Sequence, residues 1–99
     1  MAKITVEGYI VVPMEQLAEI EQALQQHIEL TRREPGCTVF RVTLNAQQPN
    51  RFDVYEEFAD KEAFALHQVR SKSSYWGKVS KEVERYYEIT ELAKVKASM

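Results

Sequence analysis

His67 is the side chain in this sequence best suited to proton-transfer chemistry. The chain of 99 residues has two histidines, and a neutral imidazole readily accepts a proton near pH 7. Helical spacing places His67 on the same side of a helix as Ala63 and Phe64, and that side should face a sheet. The sequence leaves two interpretations open: a catalytic general base in a pocket, or a buried structural histidine bonded to a backbone carbonyl.

Tyr55 and Glu56 are the next candidates, and they are neighbours on one predicted strand. Tyr55 could donate a hydrogen bond to a substrate oxygen as a catalytic group, or it could pack across strands. Glu56 shares an apolar strand face with Phe58, and a buried carboxylate needs a partner. Arg41 or Arg85 could supply that partner, so an ion pair is the favoured interpretation of Glu56 over catalysis.

The other candidate residues would contact a substrate. Tyr75 and Trp76 could form an aromatic wall, although aromatic residues at helical spacing more often belong to a core. The rest of the candidate substrate-binding set is Phe64, Glu56 and Arg70.

Other familiar chemistries lack their sequence signals. The two histidines are 40 residues apart, and no Cys, His or carboxylate spacing is typical of a zinc or iron site. The chain has no Gly-rich phosphate loop and no serine elbow. We therefore expect no bound metal and no cofactor.

Composition limits the classes of partner. A net charge of -2 with mixed signs gives no nucleic-acid footprint and no basic membrane patch. The chain has no run of about 18 apolar residues, no apolar signal-peptide core, and a lone Cys37 that excludes an intrachain disulfide. We expect a single domain over residues 1–99 that is cytoplasmic and acts on a small molecule.

Periodicity and turn signals predict the elements that position these side chains. Alternation from Arg51 to Phe58 predicts a strand, joined as a hairpin to a β-rich run over 38–44 by the polar loop 45–50. Asp60 supplies the N-cap of a helix through His67, which the chain is expected to leave over 69–72.

A strand and a helix precede this hairpin. Gly8, in the middle of the strand over 3–12, indicates a bulge or the close approach of another group. Pro13 suits the first turn of the helix, and His27 is expected to be partly exposed at the edge of its inner stripe. That stripe is Leu17, Ile20, Leu24, Ile28 and Thr31.

Two further elements complete the pattern. A short helix holds either Tyr75 or Trp76 inward, and a last strand covers 85–92, before a frayed tail from Lys94. The order β-α-β-β-α-(α)-β predicts a ferredoxin-like α+β fold with a four-stranded antiparallel sheet. Its second face carries apolar side chains with nothing left to cover them, which predicts a homodimer with the sheets face to face.

One pattern of residues resembles a known family. The run EPGC at 34–37 precedes a strand, PNRF-x-x-YE-x-F-x-D follows at 49–60, and a histidine stands seven residues after the aspartate. This pattern is similar to that of the antibiotic biosynthesis monooxygenase family. The resemblance implies a dimeric α/β barrel. It also implies an activity among those of the family: cofactor-free oxygenation of aromatic polyketides and quinols, haem degradation, or isomerisation of a phosphorylated sugar.

The residues match the family motif one by one. Tyr55-Glu56 matches the YE pair, Phe58 stands where Trp or Tyr is frequent, and Asp60 and His67 match the helix-start aspartate and the helix histidine. The Asn, Trp and His set of the haem-degrading members is not reproduced, since the asparagines are confined to the hairpin loop.

The favoured function is a cofactor-independent monooxygenase acting on a small aromatic or quinol-like compound. Such an enzyme needs a base that deprotonates the substrate, which then gives an electron to dioxygen, in a largely apolar pocket. The alternatives are an isomerase of a small sugar-like metabolite using the same histidine, and a non-catalytic dimer that binds a small hydrophobic ligand.

Overall fold

The computed structural model describes residues 2–92, which form one antiparallel sheet with helices on one of its faces. The strands are β1 (Lys3–Val11), β2 (Cys37–Leu44), β3 (Arg51–Phe58) and β4 (Glu84–Leu92). The helices are α1 (Leu17–Arg32), which follows a 3-10 turn (Met14–Gln16), α2 (Lys61–Ser73) and α3 (Tyr75–Val79). The strand order β2-β3-β1-β4, antiparallel throughout, confirms the ferredoxin-like α+β fold. The tail predicted from Lys94 lies outside the described residues.

Side-chain caps set where α2 and α3 begin. The Ala63 N–H donates to Asp60 Oδ1 at 2.8 Å, which confirms the predicted N-cap. The prediction that the chain leaves this helix over 69–72 is wrong, because α2 continues to Ser73. It ends at Ser74, whose extended backbone cannot continue the helix and whose hydroxyl accepts the Gly77 N–H at the start of α3.

Gly8 lies where the central strand meets β4. It pairs with Val54 on one side and Tyr87 on the other, without a bulge in β1. A Cβ atom built on Gly8 would lie 1.9 Å from the Tyr86 carbonyl oxygen. Of the two explanations that the sequence offered for this glycine, the close approach of another group is confirmed.

Strand alternation divides the sheet into a helix-covered face and an open face. The inward residues of β3 are Phe52, Val54, Glu56 and Phe58, all of them buried. Phe52 and Val54 belong to one core cluster, whose other main members are Ile10, Val12, Ile20, Leu24, Trp76 and Val83. In α1 the predicted stripe is buried at Ile20, Leu24 and Thr31, and Leu17 and Ile28 are partly buried.

Aromatic and cationic side chains occupy the open face. Tyr9 stacks on Tyr86 with ring centroids 4.9 Å apart, and the Arg51 guanidinium lies 3.7 Å from the Tyr9 ring centroid. Arg41 lies 5.2 Å from the ring of Tyr55 on the same face. Of the helices within residues 2–92, none combines the length and apolar character needed to cross a membrane.

Candidate active site

A cavity of about 620 Å³ lies between the helix-covered face of the sheet and helices α2 and α3. Its lining includes Glu56 from β3, Phe64 and His67 from α2, Trp76 from α3 and His27 from α1. Strand β4 borders the remaining side. The volume suits a small organic ligand, and apolar walls with a few polar groups are typical of ligand pockets.

His67 is buried, and one ring nitrogen is held while the other faces the cavity. Its Nδ1 lies 3.0 Å from Glu34 Oε1. A carboxylate only accepts hydrogen bonds, so Nδ1 carries the proton and the lone pair is on Nε2. That Nε2 atom lies 3.5 Å from Ser71 Oγ and 3.8 Å from Glu56 Oε1. The arrangement leaves the basic nitrogen of His67 directed at the cavity.

A second layer of contacts fixes Glu34. The Arg70 Nε–H donates to the Glu34 carboxylate, and Arg70 Nη2 donates to Thr31 Oγ1 at 2.8 Å. Burial lowers the pKa of His67, the Glu34 carboxylate opposes that by its charge and hydrogen bond, and the Arg70 charge lowers it further. Arg70, predicted to contact substrate, does not line the cavity and is linked to it through Glu34 and His67.

Glu56 has a different partner from those that the sequence suggested. Arg41 lies on the opposite face of the sheet, and Arg85 is hydrogen-bonded to carbonyls between α3 and β4. The prediction of an ion pair with either arginine is therefore wrong, and the neighbour of Glu56 is His67. Burial, and next the negative charge of Glu34, raise the pKa of Glu56 to about 7. Glu56 can thus gain or lose a proton near neutral pH.

His27 is a wall of the cavity rather than a partly exposed residue, so that prediction is wrong. It is 6% exposed and stacks on Trp76, with centroids 5.3 Å apart and planes inclined by 18°. Burial, and then the positive charges of His67, Arg70 and Arg85, lower its pKa to about 3. Within residues 2–92 its Nδ1 atom is buried with no hydrogen-bond partner. A neutral imidazole therefore lies flat against the indole.

Of the two adjacent aromatic residues on α3, only one reaches the cavity. Trp76 is 7% exposed and lines it, whereas Tyr75 is 51% exposed and does not. Trp76 and Val79 are the α3 side chains that face the core, so Trp76 forms the predicted aromatic wall and Tyr75 does not. Phe64 also lines the cavity and packs on Phe58, with ring centroids 5.4 Å apart.

Tyr55 does not meet His67, so its predicted catalytic role has no support in this cavity. It lies on the open face of the sheet, where its hydroxyl donates to the Glu57 carboxylate. The reason is the two-residue period of a strand, which sends Tyr55 and Glu56 to opposite faces.

Glu34, Ser71 and Tyr87 are among the polar contributors to the site that the sequence analysis missed. Glu34 stands 33 residues before His67, although it begins the motif EPGC that carries the family resemblance. Ser71 follows His67 by four residues, a spacing that could have identified it. Tyr87 lines the cavity from β4, where alternation with Arg85 puts both on the helix-facing side.

The arrangement is suited to moving protons. Glu56 and the Nε2 atom of His67 lie side by side among aromatic walls, where both can exchange a proton with a ligand. No three His, Cys, Asp or Glu side chains in the described part of the chain are grouped so as to hold a metal ion. The geometry supports proton abstraction from a ligand bound in the cavity.

Comparison with known proteins agrees with the fold. The model of the family described as "Antibiotic biosynthesis monooxygenase" matches residues 3–75. No protein of curated function matches in sequence. Among solved structures, a protein from Nitrosomonas europaea is 20% identical with a TM-score of 0.75, covering 97% of this chain and 92% of that one. One from Deinococcus radiodurans is 22% identical with a TM-score of 0.72, covering 98% and 95%. Both are named provisionally as antibiotic biosynthesis monooxygenases, and at this identity they show the fold alone.

Proposed function

The chain belongs to the antibiotic biosynthesis monooxygenase family, and on that premise we propose that it is a monooxygenase of small aromatic or quinol-like compounds. In this proposal the reaction uses no metal and no organic cofactor, and His67 is the general base. The observation that carries it is the orientation of His67, with Nδ1 held by Glu34 and Nε2 facing a cavity of about 620 Å³. A free lone pair at that position can take a proton from a bound hydroxyl group.

The proposed reaction follows from the reactivity of an ionised quinol. His67 takes the proton of one hydroxyl, and the resulting anion gives an electron to dioxygen. The two radicals combine at a ring carbon that bears a hydrogen, and the peroxide O–O bond then breaks as that carbon loses its hydrogen as a proton. One oxygen atom stays on the ring, the other leaves as water, and the substrate supplies all the electrons. A quinol thus becomes a hydroxyquinone.

Glu56 would supply the second proton-transfer group of this reaction. With a pKa of about 7, a protonated fraction is present at neutral pH and can donate to the developing peroxide or ring anion. Its carboxyl oxygen lies 3.8 Å from His67 Nε2, so the proton that His67 accepts can pass to Glu56 between turnovers. Phe64, Trp76 and the neutral His27 would pack on the aromatic rings and exclude water.

We propose further that the chain acts as a homodimer joined through the open face of its sheet. Support comes from the side chains there, since the Tyr9–Tyr86 stack and Tyr55 present aromatic surface. Charged groups of both signs surround these rings, so two copies of the face can pair them across a two-fold axis. The cavity lies on the other face, so each subunit would hold a site of its own.

An isomerase is the second candidate, and the Glu56–His67 pair is the observation that favours it. Glu56, with a pKa of about 7, and the imidazole of His67 lie on one side of a ligand and can remove a proton from one carbon and return it to another. Such an enzyme would work without dioxygen.

The test uses 1,4-dihydroxynaphthalene with isotopically labelled dioxygen. The proposal expects 2-hydroxy-1,4-naphthoquinone carrying one labelled oxygen, whereas spontaneous oxidation gives unlabelled 1,4-naphthoquinone. His67→Asn should lower the labelled product by roughly 10²–10⁴-fold, because the amide can still donate to Glu34 but cannot act as a base. Leu66→Ala, at a neighbouring residue that is 64% exposed, is the matched control and should be unchanged.

Other outcomes separate the candidates. The monooxygenase proposal would be contradicted if His67→Asn formed as much labelled product as the native protein, or if the native protein formed none. If His67 is a structural residue, the substitution should instead lower the melting temperature and leave activity per folded molecule unaltered. Deuterium exchange from solvent into a bound ligand without oxygen uptake would favour the isomerase.

A further inference from the structure

Three cations line the same cavity as His67, from three separate elements. Lys72 comes from the last turn of α2, Lys81 from the segment between α3 and β4, and Arg85 from β4. The whole chain has a net charge of -2, so this concentration of positive charge runs against its overall balance. Charges of one sign in a cleft attract a ligand of the opposite sign.

Within residues 2–92 these cations have no carboxylate partner, because the ion pairs closer than 4.0 Å involve other basic residues. Among the described residues, Glu56 is the one carboxylate that lines the cavity, and it lies beside His67. The positive charge along the β4 side is therefore unbalanced within the described chain.

Arg85 is fixed in position by neutral groups. Its Nη1 donates to the Ser80 and Val83 carbonyl oxygens at 3.1 Å each, and its Nη2 donates to Ser80 Oγ at 2.7 Å. These contacts hold the guanidinium without cancelling its charge. The charge is felt inside the cavity, since it contributes to the lowered pKa of His27.

We propose that Lys72, Lys81 and Arg85 form a subsite for an anionic substituent, so that the ligand of this cavity is an aromatic compound bearing a carboxylate or a similar anion. The proposal rests on the proposed function only in taking the cavity as the substrate site. The aromatic part would pack on Trp76 and Phe64, with its anionic group toward β4. The same cations would offset the second negative charge that forms when a hydroxyl of such a ligand is deprotonated.

The experiment measures binding of three unreactive probes that share one ring system. Calorimetric titration in about 50 mM salt compares 2-naphthoate, 2-naphthylmethanol and 2-naphthylmethylamine. We expect 2-naphthoate to bind about tenfold more tightly than the alcohol, and the amine to bind most weakly, because each of the three exposed charges contributes modestly. The advantage should shrink at about 0.5 M salt, because screening weakens exposed charge interactions.

Lysine variants connect this preference to the subsite. Lys72→Gln and Lys81→Gln should each weaken 2-naphthoate roughly two- to fivefold and leave the alcohol unchanged. Lys78→Gln is the matched control, because Lys78 is exposed on α3 and does not line the cavity. Arg85 is left intact in these variants, since its hydrogen bonds also hold the α3–β4 segment.

Two results would overturn the subsite. Equal binding of the acid and the alcohol would show that the cavity does not select an anion, and the monooxygenase proposal would stand. If the double variant Lys72→Gln, Lys81→Gln prefers 2-naphthoate as strongly as Lys78→Gln does, the two lysines do not bind the anion and the three-cation subsite is wrong. Failure of the labelled-oxygen test alone would leave the binding preference intact, so the two proposals fail separately.

Discussion

The Nδ1 atom of His67 lies 3.0 Å from the Glu34 carboxylate and joins helix α2 to the turn between α1 and β2. Glu34 also accepts from Arg70, three residues after His67 on the same helix. The carboxylate is thus fixed from α2, and it in turn fixes the tautomer and orientation of the imidazole. Glu34 acts on a ligand only through His67, which makes it a positioning residue in the proposed reaction.

Glu34→Gln should weaken the proposed base without removing it. The Glu34 charge and hydrogen bond raise the pKa of His67, so their loss should lower that pKa further. We expect a roughly 10–100-fold lower kcat, together with a shift of the acid limb of the pH–rate profile to lower pH. Glu29→Gln, at an exposed position of α1, should change neither kcat nor the acid limb of the pH–rate profile. A lower kcat with an unshifted acid limb would contradict the positioning role.

Glu56→Gln should change how stability depends on pH. The pKa of Glu56 is about 7 in the folded chain against a reference of 4.5. The folded state therefore binds the proton more tightly, and the native protein loses stability as pH rises from about 4.5 to 7. Relative to the native protein, Glu56→Gln should gain about 3 kcal/mol of unfolding free energy between pH 4.5 and 8.

Denaturant titrations across that pH range measure the Glu56 effect. Glu21→Gln, at an exposed position of α1, is the control and should follow the native curve. If the difference in unfolding free energy between Glu56→Gln and the native protein does not change with pH, burial does not hold Glu56 in its protonated form.

Much of this fold could be predicted from local sequence, because local rules determine it. The two-residue period of β3 correctly placed Glu56 and Phe58 inward, and Asp60 marked the start of α2. Glu34 was missed because its contact depends on a distant part of the chain. Glu34 meets His67 across 33 residues, and no periodicity in either segment reveals that contact.

His27 shows a second limit of local reasoning. Its helix position predicted an edge residue, but α3 packs beside α1 and puts Trp76 over the ring. The sequence of a single helix shows which side is buried. How many residues at the edge of that side are also buried depends on which elements pack against it. The predicted end of α2 was also wrong. Within α2 no helix-breaking residue precedes Ser74, and the helix ends there because the Ser74 backbone is extended.

His27→Phe should make the protein more resistant to acid. The pKa of His27 is about 3 in the folded chain against a reference of 6.5, so the unfolded state takes up the proton first. The stability that a neutral His27 provides is present above pH 6.5 and is lost as pH falls toward 3. Between pH 7 and 4 the native protein should lose about 3 kcal/mol more unfolding free energy than the variant, because phenylalanine packs on Trp76 without titrating.

Parallel unfolding curves of the native protein and His27→Phe at pH 7, 5 and 4 measure the difference. His67 titrates in both proteins, so the comparison isolates His27. A variant that loses stability in acid as steeply as the native protein would show that His27 accepts its proton without cost in the folded state.

Tyr55→Asp should dissociate the proposed dimer. Tyr55 lies on the open face, paired with Glu7 of β1 and two residues from Glu57 on the same face. A carboxylate there removes aromatic contact area and adds a further negative charge beside Glu7 and Glu57, which would be costly to bury between two sheets. Light scattering at about 10 μM should give twice the chain mass of 11.5 kDa for the native protein and a single chain mass for the variant.

The matched control for the dimer is Leu66→Asp, which adds the same charge on the outer side of α2, at a residue that is 64% exposed. This control should remain dimeric, because the helices lie on the face opposite to the proposed interface. A native protein of single-chain mass at micromolar concentration would contradict the dimer outright. Dissociation by Leu66→Asp with retention by Tyr55→Asp would instead locate the interface on the helices, and the open face would then be free in solution.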